Sequence, residues 1–343
     1  MATAERSDMP PTRPLSRVGE EAPFVVGALS LAVFQFGGDA WLADLSNPLV
    51  AAVLFAWLFV AMLWAAFGVV RHADALADLL GEPYGTLILT LAVIGIEVSL
   101  ISAVMLTGEA APTLARDTMF AVLMIVLGGG VGLALLLGGV RHHEQAYNLE
   151  GARAFLVVLI PAAAFALVLP TFTRSTDAAT YAPAQAVFFA VTTALLYAVF
   201  LAIQTVRHRG WFEQPPTDGE APGADAHHSH GPVRSVPYHA ILLVLTLVPI
   251  VLLSKRLAKL VDFGAVELGA PAALGGVIIA LLVLTPEGLA AMKSARDNQL
   301  QRAVNVLLGS AVATIGLAVP AVLAISLAAG QPVVLGLDQV SMV

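Results

Sequence analysis

The stretches GTLILTLAVIGIE, residues 85–97, and GGVIIALLVLTPE, residues 275–287, decide the fold. Each begins with a glycine, continues with eleven mostly apolar residues and ends in a glutamate twelve residues after the glycine, Glu97 or Glu287. A carboxylate at membrane depth costs several kcal/mol on most scales, so it seldom persists there without a function. Two acids at equivalent places in two similar segments indicate a duplicated unit with a paired-carboxylate site. In a membrane protein such a site is typical of cation or proton binding.

The composition is that of an integral membrane protein. Of the 343 residues, 58% are hydrophobic and 12% are charged, whereas a soluble domain carries roughly 25% charged residues. The chain has no cysteine, which excludes disulfides, iron–sulfur clusters and thiol nucleophiles. The net charge is −7 and the basic residues are dispersed, so nucleic acid is not an expected partner. Neither a P-loop nor a GxSxG motif is present, so nothing supports an ATP-driven pump or a serine hydrolase, and the chain is not expected to be an enzyme.

The apolar stretches predict an all-α polytopic fold with nine transmembrane helices, because a span needs about 20 apolar residues. If the N-terminus is cytoplasmic, twelve of the 17 basic residues lie on the cytoplasmic side, as the positive-inside rule requires. The predicted spans are 23–38, 48–70, 84–107, 118–139, 153–172, 183–206, 239–260, 269–293 and 302–329.

Polar stretches divide the chain into six parts. Residues 1–22 are expected to be a disordered cytoplasmic tail, and 207–237 an acidic, histidine-containing cytoplasmic linker. Residues 71–85 are predicted to be a short amphipathic cytoplasmic segment that leads into the third span. The remaining parts are 23–47 as an extra first helix with an outer loop, 48–206 as the first repeat, 238–330 as the second repeat and 331–343 as a C-terminal tail.

The two glutamate segments are predicted to run in opposite directions across the membrane, which is the inverted-repeat architecture of many secondary transporters. Pro286 and Gly95 stand just before the two acids, and we expect them to break the helices there and free backbone carbonyls. Freed carbonyls and carboxylates are hard oxygen ligands for calcium or sodium. The candidate supporting ligands are Gly95, Ser99, Thr285, Ser310 and Thr314.

Each of these signals has a structural alternative. The two acids could be protonated and hydrogen-bonded, and serine or threonine hydroxyls in membrane helices commonly bond backbone carbonyls. The GxxxG spacing of Gly128 and Gly132 predicts tight helix packing. Glu82, Glu109 and Glu267 are expected at the membrane surface, and His142, His143, His227, His228 and His230 in solvated segments.

The segments GEPYGTLILTLAVIGIEVSLISAVM (81–105) and TPEGLAAMKSARDNQLQRAVNVLLGS (285–310), with the acidic linker between them, resemble the cation/calcium exchanger superfamily. This resemblance implies two inverted repeats of five helices after an extra first helix. It also implies that one glutamate of each repeat, here Glu97 and Glu287, alternately binds cation and proton. Many exchangers carry asparagine three residues before each glutamate, where this chain has Ile94 and Leu284. The pattern further implies that the second repeat lacks its last two helices.

The sequence therefore predicts a secondary antiporter of the bacterial inner membrane. It is expected to export Ca²⁺, and/or Na⁺ or K⁺, in exchange for H⁺ by alternating access. Its expected partners are the lipid bilayer, cations and protons, and no cofactor is expected beside the transported ions. A passive cation channel and a truncated membrane protein without transport activity remain the alternatives, and the oligomeric state stays open.

Overall fold

The computed structural model describes residues 21–81, 84–105, 112–176, 178–215, 234–271 and 273–342, and this part of the chain contains helices but no strand. The nine long helices found in these ranges confirm the predicted count. Eight of them are long and apolar enough to cross a membrane, and α3 contains a shorter apolar stretch, Thr90–Ala103. The helices are α1 Ala22–Ala43, α2 Pro48–Leu80, α3 Tyr84–Met105, α4 Leu114–His142, α5 Leu149–Phe172, α6 Pro183–Arg207, α7 Val236–Glu267, α8 Leu274–Arg296 and α9 Leu300–Ala329.

Local sequence accounts for where α2 begins and ends. The Asn47 side chain accepts hydrogen bonds from the backbone N–H groups of Leu49 and Val50, and Pro48 opens the first turn, where its missing N–H has no helical partner. Gly81 ends the helix at φ +67°, a backbone conformation that side chains with a Cβ rarely adopt. Asn148 caps α5 in the same way, through the backbone N–H of Glu150.

Two helices extend beyond their predicted spans. Helix α2 continues to Leu80, so most of the segment predicted as a short cytoplasmic segment, 71–85, is part of the same continuous helix as the second span. Helix α7 likewise continues through its basic residues to Glu267. Hydropathy reports where a chain becomes polar, whereas a helix can leave the apolar layer and continue with polar residues, so the helix bounds exceed those of the predicted spans.

The predicted helix breaks beside the two acids are also absent from the structure. Helix α8 is continuous around Pro286, and α3 is continuous around Gly95. A proline removes only one backbone donor from the ladder, and the Thr285 hydroxyl donates to the carbonyl of Leu281 at 2.5 Å. The irregular turns are π-helical and lie elsewhere: Ile125–Gly130 in α4, Ala164–Val168 in α5, Ile203–Arg207 in α6 and Thr314–Ala318 in α9.

Successive helices cross in opposite directions, which defines two ends of the bundle. We call the end that carries the 208–235 connection the linker face. The end of α2 meets the start of α7 there, with His72 Nδ1 and His239 Nδ1 3.1 Å apart. The end of α4 meets the end of α8, where His142 Nε2 donates to the carbonyl of Arg296 at 2.8 Å. Helix α3 therefore runs away from the linker face and α8 runs towards it, as predicted for the two acid-bearing segments.

Two apolar cores lie side by side in the bundle. One joins α1, α2 and α7, and the other joins α4, α5, α6 and α9. Helix α3 contributes Ile96 and Leu100 to the first core and Ile94 and Ile101 to the second, and α8 is divided in the same way. The two acid-bearing helices therefore form the boundary between the cores.

At the opposite face, the segment after α9 packs against the helix ends. Val333, Leu335 and Leu337 are buried in the second core. The N–H of Val334 donates to Pro112, and that of Leu337 donates to Leu167, at 2.9 and 2.7 Å. The beginning of the predicted C-terminal tail, 331–343, thus holds α4, α5 and α9 together at this face.

Candidate functional site

Glu97 lies in the middle of α3 and is fully buried. The Thr314 hydroxyl on α9 donates to its Oε2 atom at 2.9 Å. Its Oε1 atom is also buried and has no hydrogen-bond partner within the described part of the chain. A buried carboxylate oxygen without a donor is costly, so this oxygen marks a place where a proton or a cation would be stabilising.

Glu287 occupies the equivalent place on α8. The Ser310 hydroxyl, again from α9, lies close enough to interact with its carboxylate. The residue as a whole is half-buried, but its Oε2 atom is buried and finds no hydrogen-bond partner among the residues that the structure describes. Each acid therefore has one hydroxyl of α9 beside it and one buried oxygen left open.

Helix α9 supplies both hydroxyl donors. Ser310 and Thr314 are four residues apart, so their side chains lie on the same face of a helix. The start of α9 is held by a polar network, in which the Gln301 amide donates to Asn305 at 2.8 Å and Asn305 donates to the carbonyl of Phe212 at 2.6 Å. This network fixes α9 against the segment that precedes the linker and so sets the position of both donors.

The two carboxylates lie close enough to interact electrostatically. In 21–81, 84–105, 112–176, 178–215, 234–271 and 273–342, no lysine or arginine forms an ion pair with either acid. Two buried negative charges without a counterion are strongly disfavoured. The arrangement can therefore take up protons, or a cation, but is poorly suited to remain doubly charged and empty.

The structure separates the other predicted ligands from the acids. Ser99 and Gly95 are each two residues from Glu97, about 200° around α3, so they lie on other sides of that helix. Thr285 bonds its own helix backbone, which was the structural alternative. Of the five predicted supporting residues, only Thr314 and Ser310 contact the glutamates.

The predicted tight packing at Gly128 and Gly132 is wrong. A Cβ added at either glycine would meet no atom within 4 Å. The close approach of α4 to α9 is made by Gly130, where an added Cβ would lie 2.9 Å from Leu307. The GxxxG spacing identified the correct turn, but which glycine faces the neighbour depends on the helix rotation, and the π turn Ile125–Gly130 alters that rotation.

Among the remaining predicted residues, two that the structure describes lie away from the acids. His143 is exposed and Glu267 lies at the exposed end of α7. Three linker histidines and two loop acids lie outside the described residues: His227, His228, His230, Glu82 and Glu109. Within the described ranges, no three His, Asp or Glu side chains are grouped as metal ligands.

Sequence reasoning missed Asp74, which lies within electrostatic reach of Glu287. It was assigned to a cytoplasmic segment, whereas the continuous α2 carries it alongside α8. The signal that could have found it is the helical period, because HADALAD continues the buried face of α2 through His72, Ala73 and Leu76.

Comparison with known proteins agrees with this architecture. The model of the family "Sodium/calcium exchanger protein" matches residues 50–206 and 238–343. The chain is 43% identical to the sodium-potassium/proton antiporter ChaA of Escherichia coli strain K12 over 324 residues, which cover 94% of this chain and 86% of that protein.

Two solved structures have a similar fold. The Ca²⁺/H⁺ antiporter protein YfkE superposes with a TM-score of 0.68 at 19% identity, over 94% of this chain and 87% of that one. The H⁺/Ca²⁺ exchanger CAX superposes with a TM-score of 0.68 at 16% identity, over 96% and 78%. These relatives are transporters and not enzymes. A buried pair of membrane carboxylates in this fold, together with the family match over most of the chain, establishes that this multi-pass membrane protein belongs to the sodium/calcium exchanger family.

Proposed function

We propose that the protein is a secondary antiporter that exports Ca²⁺, and/or Na⁺ or K⁺, in exchange for H⁺, with Glu97 and Glu287 as the groups that bind cation and proton in turn. The observation that carries this proposal is the pair of buried carboxylates, each beside one hydroxyl of α9 and each with one buried oxygen that has no hydrogen-bond partner among the described residues.

Competition between cation and proton provides the coupling. When both glutamates are ionised, their four oxygens offer two negative charges to a cation. When they are protonated, they are neutral and the electrostatic attraction for the cation is lost. Because the low dielectric disfavours the empty, doubly charged state, release of the cation requires uptake of protons, and the reverse.

The division of the bundle supports alternating access. Helices α3 and α8 lie between the two cores, and both hydroxyl donors belong to α9 in the second core. We infer that movement of the first core relative to the second opens the site to one face at a time, as in other inverted-repeat transporters. We further propose that the linker face is cytoplasmic and that the membrane is the bacterial inner membrane.

The transported cation is chosen by the oxygens around it. Ile94 and Leu284 are buried, so no side-chain amide is offered at the positions where many exchangers have asparagine. The carboxylates and the hydroxyls of Ser310 and Thr314 then provide the side-chain oxygens. Relatives are named as sodium-potassium/proton and Ca²⁺/H⁺ antiporters, so Ca²⁺, Na⁺ and K⁺ are the three candidate cations.

Transport in everted membrane vesicles tests this proposal, with internal pH followed by a fluorescent dye. Addition of the transported cation should drive proton efflux, and Glu97→Gln and Glu287→Gln should each abolish it while the protein remains folded. Glu267→Gln, at the exposed end of α7, is the matched control and should transport normally. Full exchange by a folded Glu97→Gln or Glu287→Gln variant would refute the assignment. Cation flux without proton movement would identify a channel.

A further inference from the structure

The last turns of α2 carry two acids that lead from the linker face towards Glu287. Asp74 and Asp78 are four residues apart and so lie on one side of the helix. Asp78 is exposed, whereas Asp74 is half-buried. His72, two residues before Asp74, contacts His239 on α7. The side chain of Asp74 therefore projects from α2 at about 200° around the helix axis from the His72–His239 contact.

Electrostatic interactions connect Asp74, the inner of the two acids, to the buried pair. Asp74 interacts with Glu287, and Glu287 interacts with Glu97. Exposure falls along the series, from the exposed Asp78 through the half-buried Asp74 and Glu287 to the fully buried Glu97. The four carboxylates thus follow a gradient from solvent to the interior.

Helix α8 leaves open space next to Glu287. Before this acid, Leu282, Val283 and Leu284 are buried, whereas Leu281 is 43% exposed. After it, Gly288 is half-buried and Leu289 is 57% exposed, and a Cβ added at Gly288 would meet no atom within 4 Å. Because α8 runs towards the linker face, the open space at Gly288 lies one residue closer to that face than Glu287.

We propose that Asp74, with Asp78 outside it, forms the entry route by which protons and cations reach Glu287 from the linker face. This proposal rests on the antiport function proposed above. In the proton step, the O–H bond of a protonated Asp74 breaks as an O–H bond forms on the Glu287 carboxylate, directly or through water, and the negative charge moves to Asp74. In the cation step, the ionised Asp74 raises the local concentration of the cation beside Glu287.

Asp74 acts as a relay and not as a third ligand in this scheme. The described residues include no group of three acids or histidines close enough to hold one metal ion. Removing the charge of Asp74 should therefore slow access to the site without abolishing binding there.

The test compares Asp74→Asn with Asp74→Glu and with Glu150→Gln, an exposed acid on the same face. Cation-driven proton efflux is measured over a range of cation concentrations. We expect Asp74→Asn to raise the half-saturating concentration roughly five- to tenfold, as for the loss of one partly screened charge, with the maximal rate largely kept. Asp74→Glu should restore the wild-type value, and Glu150→Gln should leave it unchanged. An unchanged half-saturating concentration in Asp74→Asn overturns the entry route, while loss of exchange in Glu287→Gln in the same assay still supports antiport.

A second measurement does not depend on the transport rate. Since the chain has no cysteine, Asp74→Cys is a unique thiol. A membrane-impermeant charged thiol reagent should label it from the linker face and not from the opposite face. Labelling from the opposite face alone, or from neither, contradicts the route.

Discussion

A hydroxyl beside each buried glutamate stabilises its ionised form. Removing one hydroxyl at a time therefore tests the site residue by residue. Thr314→Val keeps the shape of the side chain but removes the hydrogen bond to Oε2 of Glu97, which costs about 1–3 kcal/mol for a buried group. We expect the cation concentration for half-maximal exchange to rise roughly tenfold, since 1.4 kcal/mol is a factor of ten. Thr314→Ser keeps the hydroxyl and should remain near wild type.

The same measurement on Ser310→Ala tests whether the second acid depends on its donor in the same way. Vesicle proton flux provides the readout, with thermal unfolding in detergent as the check on folding. If Thr314→Val and Ser310→Ala both match the wild type, the hydroxyls are only packing groups.

For single residues, the two functional acids were easier to predict from the sequence than the residues that contact them. Glu97 and Glu287 are conspicuous because a charge in an apolar segment is costly wherever the segment lies. Thr314 and Ser310 were among the candidates, but that both donors come from α9 depends on how the helices pack. Asp74 was missed because its neighbours are polar, and local hydropathy does not show that α2 continues beside α8.

Close helix crossings position the acid-bearing elements, and the crossing of α8 with α4 offers a test. A Cβ added at Gly276 would lie 2.5 and 2.6 Å from backbone atoms of Asp117 and Thr118. Backbone cannot rotate away as a side chain can, so the helices must separate. Gly276→Ala should therefore lower the free energy of unfolding by about 1–3 kcal/mol or more, as overpacking does.

Gly132→Ala on α4 is the matched control, since an added Cβ there meets no atom within 4 Å. Alanine also favours a helix over glycine by up to about 1 kcal/mol, so this variant should be as stable as the wild type or more so. Thermal melting in one detergent compares the two. Equal melting temperatures for Gly276→Ala and Gly132→Ala would show that the α4–α8 crossing is not tight.

The helices could be predicted from the sequence where the property that determines them belongs to the segment itself. Nine apolar stretches gave nine helices because the length and hydropathy of a span are properties of the segment alone. The predicted break at Pro286 failed because one missing donor does not interrupt a helix that packs along its length. The π turn Ile125–Gly130 escaped prediction because a glycine run only permits such a turn, and the neighbouring helices select it.

At the scale of the molecule, one polar cluster joins the first core at the linker face. Glu21, at the start of α1, pairs with Arg71 of α2 at 3.1 Å and accepts a hydrogen bond from Tyr238 of α7 at 2.7 Å. His72 Nε2 lies 3.2 Å from the same carboxylate. A single carboxylate thus connects three helices that, in the proposed mechanism, move together relative to the second core.

The charge of Glu21 makes the stability of this core depend on pH. Burial raises the pKa of Glu21, but the hydrogen bond from Tyr238 and the charges of Arg71 and His72 outweigh burial, and the pKa lies below its ordinary value of 4.5. A carboxyl whose pKa is lower in the folded state stabilises the fold at pH values above the unfolded pKa, and this stabilisation is lost as the pH falls through the folded pKa. The contribution of Glu21 is therefore complete at neutral pH and declines below about pH 4.5.

Glu21→Gln keeps the size of the side chain and removes this titration. We expect the variant to melt at a lower temperature than the wild type at pH 7, and the difference to shrink as the pH is lowered from 5 to 3. Glu150→Gln, which removes an exposed pair with Arg153, should change the melting temperature little at any pH, because such pairs contribute about 0–1 kcal/mol. If the difference between Glu21→Gln and the wild type stays constant across this range, the cluster holds α1, α2 and α7 by packing alone, and the core they form does not depend on the charge of Glu21.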